Sequence, residues 1–232
     1  MILDILVLAS SPVILILWYF YHRQVYKRIP VNRMLMTFAG AFVFGFPAII
    51  IETQISRYTI LHLQADHIWH EIGFLFFAVA YTEELIKLLP VLLFVWRSDA
   101  FDEPYDGIIF TVSSALGLAF LENIIYLWSE GLDIIVARTA LALPTHVLTS
   151  VFSGYFLGLA YLETQPRREI RQIGFGFALA VLVHFFYNLI FTQTLYPQTP
   201  LAAGFLIALA FPAFILIRRH LARSPYRIPS PI

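Results

Sequence analysis

Seven long apolar stretches constrain the fold of this chain more than any other feature. They occupy about 2–21, 34–51, 68–96, 105–128, 134–162, 173–192 and 201–217. A hydrocarbon core about 30 Å thick is crossed by ~20 apolar residues of helix. Inside lipid the backbone must satisfy its own hydrogen bonds, which a helix does. The chain is therefore expected to be all-α: a polytopic membrane helical bundle with about seven transmembrane helices, or eight if a long stretch divides. The third and fifth stretches are long enough to tilt strongly or break, with Pro90 and Pro144 as the expected kink points.

Composition agrees. Only 13% of the residues are charged and 59% are hydrophobic, where a soluble domain carries about 25% charge. The spans use up the 232 residues, so one transmembrane domain, 1–232, is expected, with a catalytic core at about 68–193. Cysteine is absent, which excludes disulfides, thiol nucleophiles and thiolate metal sites. The net charge of zero implies no basic face for nucleic acid. The first stretch lacks a basic leading segment and reads as a retained span rather than a cleaved signal.

Lysine and arginine in short loops set orientation. Twelve of them, in 23–33, at Arg97, in 167–171 and in 218–227, fall on one side of a seven-span chain. The other side holds Arg57 and Arg138. This asymmetry predicts an outer N-terminus and a cytoplasmic C-terminus. On the cytoplasmic side, the acidic turn 99–107 reads as a capped helix start, since acids favour a helix N-terminus and Pro104 suits its first turn; a direct substrate role is the alternative.

Ionisable residues stand inside four of the stretches. A charge at the bilayer centre costs about 2.5–3.5 kcal/mol on insertion scales, so such residues are functional candidates. The third stretch has Glu83, Glu84 and Lys87; Glu83 and Lys87, four apart, share a face and can pair. The fourth has Glu122-Asn123, the fifth His146, and the sixth His184 with Asn188 one turn on. Counting ~1.5 Å per residue from the flanking charges puts all four groups near the midplane or in the outer half. Agreement in depth suggests one shared polar cavity, opening toward the outer side. Taken singly, Glu83–Lys87 could be a structural pair, Glu122-Asn123 interhelical polar glue and His146 a satisfied core histidine. Ser150, Gly154 and Gly158 form a small-residue stripe that permits close helix approach, and Gly174 and Gly176 read the same way.

A carboxylate in an apolar cavity can act as general base near neutral pH. Glu83 or Glu84 could activate water, with Lys87 keeping one carboxylate ionised. A histidine could orient the water or protonate the leaving amine, and Asn188 could donate to the oxyanion. Without cysteine or a Ser-His-Asp pattern in the spans, a covalent acyl-enzyme is disfavoured. The glutamates and histidines are also competent zinc ligands, although no His-Glu-x-x-His run is present.

These residues bring the chain to a resemblance. It resembles the PrsW family of membrane proteases, relatives of the CAAX prenyl endopeptidases. The likeness is carried by Glu83-Glu84-x-x-Lys87, Asp102-Glu103-Pro104-x-Asp106-Gly107, Ala119-x-x-Glu122-Asn123-Ile124-x-Tyr126, Pro144-Thr145-His146 and His184-x-x-x-Asn188, in the family's order. Leu118 departs from the family's usual Phe. The resemblance implies a glutamate-dependent intramembrane peptidase working without a bound metal or other cofactor, in a prokaryotic plasma membrane. It implies Glu83 and Glu84 as the catalytic pair, with Glu122, His146 and His184 in the site and Lys87, Asn123 and Asn188 supporting. The implied partner is a membrane-anchored protein, in some bacteria an anti-sigma factor cut at site 1. Two alternatives stay open: a metal-dependent hydrolase using the same residues, and a non-enzymatic proton-coupled transporter or scaffold.

Overall fold

The computed structural model describes residues 2–62, 68–192 and 199–227. The described residues are helical with no strand. Helix α1 is Ile2–Arg23 and α2 is Val31–His62. A third segment is helical without interruption from α3 (Ile68–Gly73) through a π-helical stretch, Phe74–Tyr81, into α4 (Thr82–Phe94). Then come α5 (Pro104–Glu130) and α6 (Leu132–Ala137). A second π-helical stretch, Arg138–Ala142, leads into α7 (Leu143–Tyr161). The chain closes with α8 (Pro166–Thr192) and α9 (Thr199–Ala222).

Each expected apolar stretch coincides with a helical segment, and the fold is a helical membrane bundle. Six segments are long and apolar enough to cross a membrane by length and composition. The remaining one, 68–94, carries Glu71, Glu83, Glu84 and Lys87 and falls outside that count for its charge. The two π-helical stretches lie in the third and fifth apolar stretches, the two longest read from the sequence. The second ends two residues before Pro144, which cannot donate a backbone hydrogen bond to the preceding turn. The first lies well upstream of Pro90; there the Thr82 hydroxyl donates to the Phe77 carbonyl, five residues back, at 3.1 Å.

Helix α5 is the hub, with 83% of its membrane-length window buried against 17% for α1. Hydroxyl groups tie its neighbours to it, as expected where lipid offers no competing polar partners. Tyr105 donates to Phe20 O of α1 (2.9 Å), Ser113 to Met34 O of α2 (2.7 Å) and Thr111 to Ser150 O of α7 (2.8 Å). The small-residue stripe packs as the sequence indicates: a Cβ on Gly154 would sit 2.7 Å from Ile108 Cα, and one on Gly107 would sit 2.7 Å from Gly158 N. Gly174 differs from that expectation, having nothing within 4 Å of its Cβ position.

The acidic turn 99–107 is a capped helix start. Glu103 is the N-cap of α5, Pro104 follows it, and Asp106 Oδ2 accepts from the backbone N–H of Asp102 (2.9 Å) and Glu103 (3.0 Å). Lys27, between α1 and α2, bridges Asp102 and Asp106, and Tyr226 beyond α9 donates to Asp102 at 2.7 Å. Arg97 pairs with Glu169 at 2.7 Å. Four basic loops thus meet at one end of the bundle.

Candidate active site

The expected site residues converge on a cavity of about 540 Å³ toward the opposite end from those loops. The expected residues in its polar lining come from four helical segments: Glu83, Glu122, His146 and His184, with Asn188 one turn beyond His184. Glu84, Lys87 and Asn123 do not line it but are buried beside it.

The two adjacent glutamates have different surroundings, because consecutive helical residues point ~100° apart. Glu84 Oε1 accepts from Lys87 Nζ (2.6 Å) and from His184 Nδ1 (2.8 Å). Lys87 therefore pairs with Glu84 at three residues' spacing; the expected Glu83–Lys87 pair gives way to it. Glu83 faces the cavity. Its Oε2 is buried with no hydrogen-bond partner among the described residues, 3.8 Å from His146 Nδ1 and 3.7 Å from His184 Nε2. His146 Nδ1 is likewise buried without a partner.

Each histidine is held from its far side. A carboxylate can only accept, so Glu84 takes the N–H of His184 Nδ1 and leaves Nε2 toward Glu83. Glu122 Oε2 lies 3.2 Å from His146 Nε2 and leaves Nδ1 toward Glu83 in the same way. In the neutral rings, two lone-pair nitrogens flank one unpartnered carboxylate oxygen. Glu84 is compensated by Lys87 and Glu122 by Arg138 at 2.6 Å, whereas Glu83 has no lysine or arginine partner among the described residues.

Two charged lining residues were not among the expected site residues. Glu52 lies beyond the apolar stretch 34–51, but α2 continues past it with no glycine or proline after Pro47, and so carries Glu52 onto the cavity wall. Its Oε1 is buried with no hydrogen-bond partner among the described residues. Arg138, expected as an outer-loop marker, instead reaches inward. Its Nε donates to Asn123 Oδ1 (2.9 Å), its Nη2 to Glu122 Oε2 (2.6 Å), and its guanidinium lies over the Tyr126 ring, 4.2 Å from the centroid. The signal for Arg138 was its place two turns before His146 on one helical path.

Fold and site together define a class: a polytopic membrane protein with an acid–imidazole cluster assembled inside its helices. Within that class, the chain belongs to the PrsW family of intramembrane proteases. The family model described as PrsW family intramembrane metalloprotease matches residues 29–217. Protease PrsW of Geobacillus kaustophilus strain HTA426 is 33% identical over 178 residues, covering 77% of this chain and 75% of the relative. Protease PrsW of Bacillus subtilis strain 168 is 30% identical over 183 residues, 78% and 80% of the two chains. Protease PrsW of Clostridioides difficile strain 630 is 26% identical over 187 residues, 78% and 76% of the two chains. No solved structure matches. The chain is thus a multi-pass membrane protease, a hydrolase of peptide bonds.

Proposed function

We propose that this protease is an endopeptidase that cuts membrane-anchored proteins with water activated at Glu83. The observation that carries the reading is the unpartnered Glu83 Oε2 between His146 Nδ1 and His184 Nε2. Atoms 3.7–3.8 Å apart do not bond directly, yet one water oxygen at ~2.8 Å can touch the carboxylate and an imidazole together. Glu83 takes the proton of that water as it attacks the scissile carbonyl. His146 orients the water, and the proton taken by Glu83 passes by way of His184 Nε2, 3.7 Å away, to the leaving amine. Asn188 donates to the developing oxyanion. Glu84 and Lys87 hold His184 and act as supports rather than reactants, which separates the two glutamates that sequence alone could not rank.

The charge asymmetry of the loops supports a cytoplasmic C-terminus in a prokaryotic cell membrane, with the cavity toward the outer side. A substrate would then be cut near the outer end of its span, as in site-1 processing of a membrane-anchored anti-sigma factor.

A metal is the second reading, favoured by one observation: ligand atoms of Glu83, Glu122 and His146 lie within 4.8 Å of one another. The residues fit such an ion. Glu83 Oε2 and His146 Nδ1 are orphaned, and His184 carries Glu84 on its other nitrogen, a usual second-shell arrangement. Glu83, Glu122 and His146 would hold the ion, with His184 adjacent. A bound ion would polarise the carbonyl and lower the pKa of water. The experiment presents purified full-length protein in liposomes with a panel of single-span substrates. Cleavage by the wild type and its loss in Glu83→Gln are expected; cleavage persisting in folded Glu83→Gln overturns the assignment of the base.

A further inference from the structure

We propose that Arg138 is a positioning residue of the proteolytic site: its guanidinium fixes Glu122, and through Glu122 it fixes the ring of His146. This rests on the reading of His146 and Glu83 given above.

One oxygen, Glu122 Oε2, receives both Arg138 Nη2 (2.6 Å) and His146 Nε2 (3.2 Å). Arg138 also grips the neighbouring Asn123 through Nε at 2.9 Å. The guanidinium fork thus spans two consecutive residues of α5, a grip that needs a planar group with several fixed donors. Tyr126, one helical turn from Glu122, closes the face of the guanidinium at 4.2 Å. Arg138 itself opens the π-helical stretch that runs directly into α7 and His146. Its side chain is therefore a strut from the segment bearing His146 to the helix bearing Glu122. The strut has a chemical consequence. Glu122 is committed to two donors and stays an acceptor, so His146 presents Nδ1 to Glu83 rather than Nε2. Nε, Nη2 and one face of the guanidinium are engaged by Asn123, Glu122 and Tyr126, so the role assigned to Arg138 runs through Glu122 and His146, although its side chain also borders the cavity.

Misplacing a catalytic group by about 1 Å costs ~100-fold in rate. In liposomes, Arg138→Gln is expected to lower kcat by about that factor while KM stays within ~3-fold. Arg138→Lys keeps the charge but loses the fork, and an intermediate loss of ~10-fold in kcat is expected. Glu122→Gln/Arg138→Gln should be no slower than Glu122→Gln alone, because one interaction cannot be removed twice. The same non-additivity should appear in thermal-unfolding midpoints, measured without substrate. A raised KM at unchanged kcat in Arg138→Gln would make Arg138 a substrate contact and overturn the proposal. So would additive losses of the two single variants, or full activity in either Arg138 variant. If Arg138→Gln does not fold, Arg138→Lys and the kcat–KM split decide. Failure of the wild type to cleave any substrate sinks the peptidase reading instead, and the unfolding cycle still tests the strut.

Discussion

Glu83 Oε2 and His146 Nδ1 lie 3.8 Å apart, both buried and neither hydrogen-bonded among the described residues. Buried polar atoms are nearly always paired, so two orphans facing each other across a cavity mark where something else binds. For a peptidase that something includes the attacking water. Glu83→Gln keeps the shape and removes the proposed base; a general base contributes about 10²–10⁴-fold. We expect a kcat loss in that range with the unfolding midpoint near that of the wild type, read by cleavage of a single-span substrate and by thermal unfolding.

Glu84→Gln should behave differently. Lys87 and Glu84 have side chains 2% and 1% exposed and are 2.6 Å apart. Breaking a buried pair by removing one partner destabilises by about 3–5 kcal/mol, because the other charge is left uncompensated. Activity should fall as well, since His184 loses the acceptor that fixes its Nδ1–H. Glu84→Gln/Lys87→Met, which removes both charges, should recover much of the stability but not the activity. Equal unfolding midpoints for Glu83→Gln and Glu84→Gln would contradict the division of labour.

The helices, and the convergence of most candidate residues on one cavity, were legible from the sequence, because lipid leaves few options. A long apolar stretch must be helical, and an acid inside it must face protein. Hence Glu83, Glu122, His146 and His184 could be grouped by depth alone. Partner choice was not legible. Spacings of three and four residues both bring helical side chains together, and only the position of His184 on α8 shows that Lys87 turns to Glu84. Glu52 and Arg138 were missed for one shared reason: each stands at the margin of an apolar stretch, where hydropathy cannot separate a loop charge from one carried inward by a continuing helix.

Metal dependence should be decided by composition before kinetics. Glu83, Glu122 and His146 form the candidate donor set. If they work without an ion, protein purified without chelator should hold well under one equivalent of zinc or other transition metal. Activity should then survive dialysis against a chelator. A stoichiometric metal that is lost in His146→Ala, together with chelator sensitivity, would replace the metal-free reading.

The glycine contact between α5 and α7 brings together the helix that carries Glu122 and the helix that carries His146, so it should be sensitive to one added methyl. A methyl on Gly154 would meet Ile108 Cα at 2.7 Å, and backbone cannot move aside as a flexible side chain can. Overpacking typically costs about 1–3 kcal/mol. Gly154→Ala should therefore lower the unfolding midpoint and reduce cleavage, whereas Gly174→Ala, with nothing within 4 Å, should leave both unchanged.

The last prediction concerns the end of the bundle away from the site. Burial acts against the charge of Lys27, but hydrogen bonds and attraction from Asp102 and Asp106 raise its pKa above the ordinary lysine value. Burial likewise opposes ionisation of Asp102, but hydrogen bonds from Lys27 and Tyr226 hold its pKa below the ordinary value. A depressed carboxylate contributes stability above its unfolded pKa and loses it as pH falls through the folded value. A raised lysine contributes below its unfolded pKa and loses it as pH rises through the folded value. The two windows overlap between about pH 4 and about pH 10. Within that range Lys27→Met leaves Asp106, whose side chain is 0% exposed, without its cation. A destabilisation is expected that is largest above neutral pH and shrinks as pH falls and the carboxylates facing Lys27 take up protons. Unfolding midpoints of wild type and Lys27→Met across that pH range make the comparison; a difference independent of pH would show that Lys27 contributes by packing rather than by charge.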